Sequence, residues 1–390
     1  MPPTSRLYDA LHQFVSQSAI QWRDARHLQT LCWMMVGMIH SQNVHLNSFG
    51  VYIPSRAVFA QSHQRRFRRW LANRRINVTN AHQALVKHSL ANWGSKRLYL
   101  SLDTTLVWNC FCIVWVGVVY RGRTVPVAWC VVAQSSSTVR LWTIQRVLRR
   151  AQRVLPASAV VVLLADRGFA DGKLMKYLNQ TLGWHFRIRI KRSFAFYYER
   201  QWRKVSDVQL QPGQAWFTRH VELGKTQPYG GVYLAFAHAK GSDERWIIAS
   251  DEPTSVETFS QYRQRFTVEE SFLDLKSNGF QLEASRIRDK HALSQLCGVI
   301  ALTMLFLILQ GLQVVESGNR RRVDAHWQRG MSYLKLGWNW IRLCLTKQWQ
   351  IQVCWWLESA PDPHPATASH RQHQQLKKLE FTVLSSLPAS

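Results

Sequence analysis

At 390 residues the chain is long enough for one large domain or two to three ordinary ones with well-buried cores. It carries 50 Lys and Arg against 23 Asp and Glu, a formal net charge of +27, yet 46% of its residues are hydrophobic, which excludes a disordered polycation. A folded protein with so positive a field calls for a polyanionic partner, and nucleic acid is the first to consider.

The basic residues run through the whole chain instead of grouping in loops between apolar spans, which argues against a membrane home. MPPTSRLYDALHQF lacks the basic and apolar regions of an export signal, so none is expected. The 7 cysteines include no C-x-x-C pair, which implies neither a disulfide framework nor a zinc ribbon and fits a reduced cytoplasm. Cys110 and Cys112, two apart in an apolar run, are expected to be core packing.

Residues 1–95 read as helical: Leu7, Leu11, Phe14 and Val15 share a face, and Leu31 to Ile39 is a second apolar stretch. Within this region QRRFRRWLANRR interleaves Arg65, Arg66, Arg68 and Arg69 with Phe67 and Trp70. Charges of a single sign repel unless an anion is supplied, so these arginines are expected to contact DNA phosphates rather than to form a solvated helix face. From about 97 the period changes to that of strands. RLYLSLD, CFCIVWVGVVY and TVPVAWCVVA form a three-strand meander. A basic amphipathic helix (138–155), an apolar strand (159–166), a short helix (171–182) and a last strand (185–192) follow. This order describes an α/β mixed sheet of ribonuclease-H type.

Residues 193–258 add β-favouring, Gly-punctuated segments, read as an insertion of strands before a helix over 257–279 that Ser277-Asn278-Gly279 stops. Ala292 to Val315 carries no charge, but its densest part, Leu296 to Leu309, is short for a membrane span and reads as a buried helix. The divisions expected are therefore a helical DNA-binding region (1–95), a catalytic domain (96–310) and a helical C-terminal region (311–390) whose tail from about 359 is mobile.

In so basic a chain, acids at the ends of apolar strands need a reason. Asp103 closes YLSLD and Asp166 closes VVVLLAD. Either alone could be a helix N-cap. In a sheet where the first strand lies beside the fourth, however, the two carboxylates converge to metal-bridging distance. The third group comes from the helix over 257–279. At about 100° per residue, Tyr262, Arg265, Glu269 and Lys276 fall within an arc of roughly 60°. An i, i+4 ion pair explains Arg265 and Glu269 but neither the aligned Tyr nor the Lys.

The set Tyr262-x2-Arg265-x3-Glu269-x6-Lys276, with Asp103 on the first strand and Asp166 opening an Asp-Arg-Gly-Phe turn, resembles the DDE transposases of bacterial insertion sequences in the group with a Y-R-E-K signature. The resemblance covers about residues 97–310. It implies an RNase H-like fold and a two-metal site in which Asp103, Asp166 and Glu269 hold Mg²⁺ or Mn²⁺. It also implies nicking, hairpin formation and strand transfer on double-stranded DNA, that is, terminal inverted repeats and target, by a homodimer associated with the bacterial nucleoid. Tyr262, Arg265 and Lys276 would hold phosphates near the cut, and Trp246, in RWIIASDEP, would stack on a flipped base, with Trp216 second in line. The competing readings are a DNA-binding relative that no longer cuts and an RNase H-like nuclease without strand transfer.

Overall fold

The computed structural model describes residues 3–226, 228–241, 243–365 and 380–387. Four helices come first: α1 (Pro3–Ser16), α2 (Ala25–Ser41), α3 (Ala60–Ala72) and α4 (Val78–Ser89). Leu7, Leu11, Phe14 and Val15 of α1 are all fully buried, as their shared face requires.

The sheet begins with β1 (Arg97–Val107), β2 (Phe111–Tyr120) and β3 (Arg123–Ala133), an antiparallel meander. After α5 (Leu141–Gln152), β4 (Val160–Ala165) returns parallel to β1. The short α6 (Gly172–Lys176), prolonged by a π-turn over Tyr177–Leu182, leads to β5 (His185–Arg189), parallel to β4. The two faces of the meander are told apart by neighbours on β3. Trp129 donates its indole N–H to the Ser294 carbonyl, whereas Arg146 of α5 reaches Cys130. Because adjacent strand residues point to opposite faces, helices cover both sides, and β2 can be apolar along its length.

The strands between β5 and the next helices do not form a separate body. β6 (Ala195–Tyr198), β7 (Gln201–Lys204), β8 (Gln214–Phe217), β9 (Val221–Leu223), β10 (Tyr229–His238) and β11 (Arg245–Ser250) extend the same sheet, because β11 pairs antiparallel with β5. The order is β3-β2-β1-β4-β5-β11-β10-β9-β6-β7, with β8 beside β10.

The expected helix over 257–279 is in fact two, α7 (Val256–Arg263) and α8 (Thr267–Lys276), separated by a 3₁₀ turn at Gln264–Phe266. At that turn the Ser101 hydroxyl of β1 donates to the Arg265 carbonyl, so the tighter winding brings the backbone against the sheet.

Next comes α9 (Lys290–Glu316), the one helix among the described residues long and apolar enough to cross a membrane, with 94% of its apolar window buried inside the protein. It is the pillar on which α2, α3, α4, β3 and α10 (Tyr333–Lys347) pack. At the α9–α10 crossing Gly311 and Gly337 let the backbones touch: a Cβ on Gly311 would lie 1.9 Å from the Tyr333 carbonyl oxygen. Since α9 runs through residue 310, the expected domain boundary there falls inside a helix, and one apolar core extends from Leu7 to Leu357.

The C-terminal expectation needs correcting too. Segment 360–364 is held down: Arg329 and Tyr333 bind Asp362 at 2.9 and 2.7 Å, and Arg121 donates to the Ala360 carbonyl. The expected mobile tail otherwise falls on residues 366–379, outside the described residues. Beyond them β12 (Thr382–Leu384) pairs parallel with β8, a strand in a region expected to be helical.

Candidate active site

The register of the parallel pair builds the site. Leu102 lies opposite Ala165, so the next residue on each strand, Asp103 and Asp166, emerges side by side at the C-terminal edge of β4. Asp103 does not end its strand, as expected, because β1 continues to Val107 along β2. It is instead the first residue of β1 with no β4 partner, which frees its flank. Asp166 caps a 3₁₀ turn and accepts the Gly168 amide at 2.8 Å.

Asp103 is mostly buried, its side chain 16% exposed, and accepts the Thr104 amide at 2.7 Å. Burial pushes its pKa up to about 6; the Thr104 amide and the Arg265 guanidinium oppose the rise, whereas Asp166 and Glu269 add to it. Arg265 is buried and spans two acids, with one nitrogen 3.3 Å from Asp103 and another 2.7 Å from Glu269. The Glu269 side chain is 52% exposed and tethered only by this pair among the described residues, so it is free to turn. The three carboxylates do not all come within 4.8 Å of one another; among the described residues the His/Asp/Glu set that does is His185, Asp251 and Glu252.

Helix α8 is clamped to the sheet from both sides of this opening. Lys276 donates to the Leu106 carbonyl of β1 at 2.7 Å. On β3, Arg123 pairs with Asp274 at 2.7 Å and Thr124 meets the Ser271 hydroxyl. Arg265 and Lys276 therefore face β1, correcting the expectation of a helix face turned wholly to DNA. Arg265 lines the carboxylate edge from within, and Lys276 is held three residues beyond Asp103 on β1.

Tyr262 departs furthest from expectation. It is fully buried with Trp246 and Phe259, its ring 5.7 Å from the Trp246 indole in an edge-on contact. Trp246 is itself 7% exposed and packed against Phe259, Tyr262 and Phe266, so in this conformation its face is covered by protein and offers no platform to a base. Trp216 is likewise buried, among Phe196, Tyr198 and Phe236. Both indoles are packed as strand residues of a sheet whose two faces are covered.

Of the α3 arginines, Arg65, Arg68 and Arg69 are exposed. Arg66 is not: half-buried, its Nε donates to the Thr30 hydroxyl at 3.1 Å, and burial lowers its pKa.

A second polar cluster occupies the opposite edge of the sheet. Asp251 accepts from the Phe186 amide and Asn179, and lies 2.8 Å from the His185 ring. Glu252 receives Arg97 and Arg187. Arg187, buried, also donates to Ser250 and Gln261. Burial by itself would raise the Glu252 pKa, but the two guanidiniums hold it below the ordinary range. Every carboxylate oxygen here has at least one protein donor, so the cluster locks β1, β5, β11 and α7 together. The sequence reading missed it; an Arg in the apolar strand HFRIRIK was the available signal.

Residues 116–306 match the transposase DDE domain family. The match contains Asp166 and Glu269 and starts downstream of Asp103. No curated protein matches the chain. Among solved structures, a cryo-EM structure of a piggyBac transposase synaptic complex with hairpin DNA is similar at 10% identity, covering 99% of this chain and 84% of that one, with a TM-score of 0.43. The chain carries a transposase DDE domain over these residues and is a DNA-cleaving and strand-transferring enzyme.

Proposed function

We propose that this enzyme is a metal-dependent cut-and-paste transposase acting on the ends of a bacterial insertion sequence, a member of the Y-R-E-K group with an RNase H-like catalytic sheet. The observation that carries the reading is the β1/β4 register, which sets Asp103 beside Asp166 with Arg265 linking Asp103 to Glu269. The β3-β2-β1-β4-β5 order, antiparallel then parallel, supports the fold assignment.

The donor set suits a hard divalent cation. Three carboxylate groups gather at one sheet edge, and Asp103 has a pKa raised by burial and by its acidic neighbours, a cost that a bound cation would reverse. Asp103, Asp166 and Glu269 would hold Mg²⁺ or Mn²⁺, whose chemistry is to activate a water or 3′-hydroxyl and stabilise the leaving oxygen at phosphorus.

Asp166 is oriented by the Gly168 amide and Asp103 by the Thr104 amide, so two of the three oxygen donors are held before any ligand arrives. Glu269 would complete the set by turning from Arg265. That frees one guanidinium nitrogen, and Arg265, still anchored by Asp103, can then donate to a phosphate oxygen. Lys276, at the end of α8, adds positive charge beside the same edge. Successive nicking, hairpin formation and strand transfer need only a change of nucleophile in one site. Joining two element ends implies a dimer on DNA.

The test is to incubate the full-length protein with duplex carrying the inverted repeats that flank its reading frame. Mg²⁺-dependent nicking at the repeat boundary, followed by a hairpin and then joining to target, is expected. Absence of nicking with both Mg²⁺ and Mn²⁺ overturns the proposal, and nicking without joining reduces the enzyme to a nuclease.

A further inference from the structure

Between α3 and the segment leading into α9 lies a groove of about 640 Å³, with Gln64, Arg68 and Arg69 among its lining residues on one side and Arg286, Arg288 and Asp289 on the other. All four arginines are exposed, and among the described residues none pairs with a carboxylate. Asp289 is occupied as the N-cap of α9, accepting the Ala292 amide at 2.7 Å. Like charges that face one another across a groove repel unless an anion lies between them.

The far wall is built to hold its shape. Gln281 and Arg286 bracket a 3₁₀ turn at Leu282–Ser285, and both adopt left-handed backbone angles, with φ of 50° and 52°. For non-glycine residues such angles persist only where the surroundings impose them, and they recur at ligand clamps. The imposing contacts come from the β1–β2 turn: Trp108 donates its indole N–H to the Glu283 carbonyl at 3.1 Å, and the Arg288 guanidinium lies 4.4 Å from the Trp108 ring centroid. That turn begins at Val107, four residues beyond Asp103 on β1, or about 13 Å at roughly 3.3 Å per residue. At about 3.4 Å per base pair the same span is about four base pairs of duplex.

We infer that this groove grips the phosphate backbone of duplex DNA about four base pairs from the phosphate being cut, with Arg68 and Arg69 on one side and Arg286 and Arg288 on the other. Its role is positioning: backbone contacts fix register without reading sequence. The inference rests on the reading that Asp103 marks the cleavage site. It adds to the α3 arginines a second wall that no charge run in the sequence announces.

The experiment compares wild type, Arg68→Ala/Arg286→Ala and the charge-preserving Arg68→Lys/Arg286→Lys on the end duplex, by fluorescence anisotropy across a salt series and by phosphate-ethylation interference. The alanine pair is expected to bind on the order of tenfold more weakly, with a log K against log[salt] slope shallower by about two. It should lose interference at phosphates about four base pairs from the cut, with melting temperature unchanged and the lysine pair close to wild type. If wild type nicks its ends but the alanine pair keeps the full slope and interference pattern, the groove assignment is wrong and the transposase reading stands. If wild type does not nick with Mg²⁺ or Mn²⁺, that reading falls and the inference falls with it. Saturable binding of inorganic phosphate that is lost in the alanine pair while the duplex slope is unchanged makes the groove a small-anion site, which also overturns the inference.

Discussion

The two edges of the sheet use the same residue types to opposite ends. At the edge formed by Asp251 and Glu252, every carboxylate oxygen has at least one protein donor, and Glu252 is held below the ordinary carboxylate range despite burial. At the edge formed by Asp103, Asp166 and Glu269, only two of the three carboxylates share one arginine and Asp166 has a single backbone amide, while Glu269 is half-exposed and Asp103 is raised to about 6. A saturated cluster stabilises the fold and has nothing left to offer a ligand. An under-satisfied one costs stability and has vacant lone pairs, which is the signature of a working site.

The sharpest way to break this contrast is to neutralise each edge in turn. Asp103→Asn, Asp166→Asn and Glu269→Gln are each expected to reduce end nicking by at least about 10⁴-fold, about 5.4 kcal/mol in the barrier, while duplex binding in gel shifts persists. A variant that nicks normally would remove its residue from the site. At the other edge Arg187→Ala should lower unfolding free energy by about 3 kcal/mol in denaturant titration, because it removes a buried guanidinium that ties Glu252 to Ser250 and Gln261. Nicking per folded molecule at low temperature should survive, and its selective loss with an intact melt would make the second cluster functional.

Trp246 tests the same contrast between packing and function. As a core indole, Trp246→Ala should cost about 3 kcal/mol or more and depress nicking and hairpin formation together. Loss of the hairpin step alone, at unchanged stability, would show that the indole leaves its pocket for a flipped base.

The pH response of the carboxylate edge is smaller. Folded Asp103 holds its proton up to about pH 6, above the ordinary aspartate value of 3.8, so its contribution to stability is complete below pH 4 and is lost as pH rises through 6. The loss is on the order of 3 kcal/mol by neutral pH. In chelator, wild type should therefore weaken over this window more than Asp103→Asn, and Mg²⁺-dependent nicking should fade below about pH 6. Parallel stability curves for the two proteins would refute the raised pKa. Smallest of all, Arg65→Ala at an exposed α3 position should change melting by less than about 0.5 kcal/mol while making the salt slope slightly shallower.

Much of the architecture was legible in the chain. Runs such as CFCIVWVGVVY can bury both faces only as inner strands, and the order meander, helix, strand, helix, strand left few topologies in which the strands of Asp103 and Asp166 are not neighbours. Three things were not legible. The break between α7 and α8 is accompanied by the Ser101 hydroxyl meeting the Arg265 carbonyl, 164 positions away. The fusion of β6–β11 with the main sheet depends on β11 reaching β5. The left-handed turn that presents Arg286 depends on Trp108 of a distant hairpin.

By itself the sequence determined periodicity and composition: where strands and helices lie, that the core is apolar, and that acids are scarce in a strongly basic chain. Those follow from backbone sterics and side-chain character within a few residues. Tertiary structure alone decided which acids are saturated and which are left wanting. A carboxylate's charge is settled by whatever donors the fold brings within about 3 Å. For Asp103 and Glu252 those donors include Arg265 and Arg187, 162 and 65 positions away.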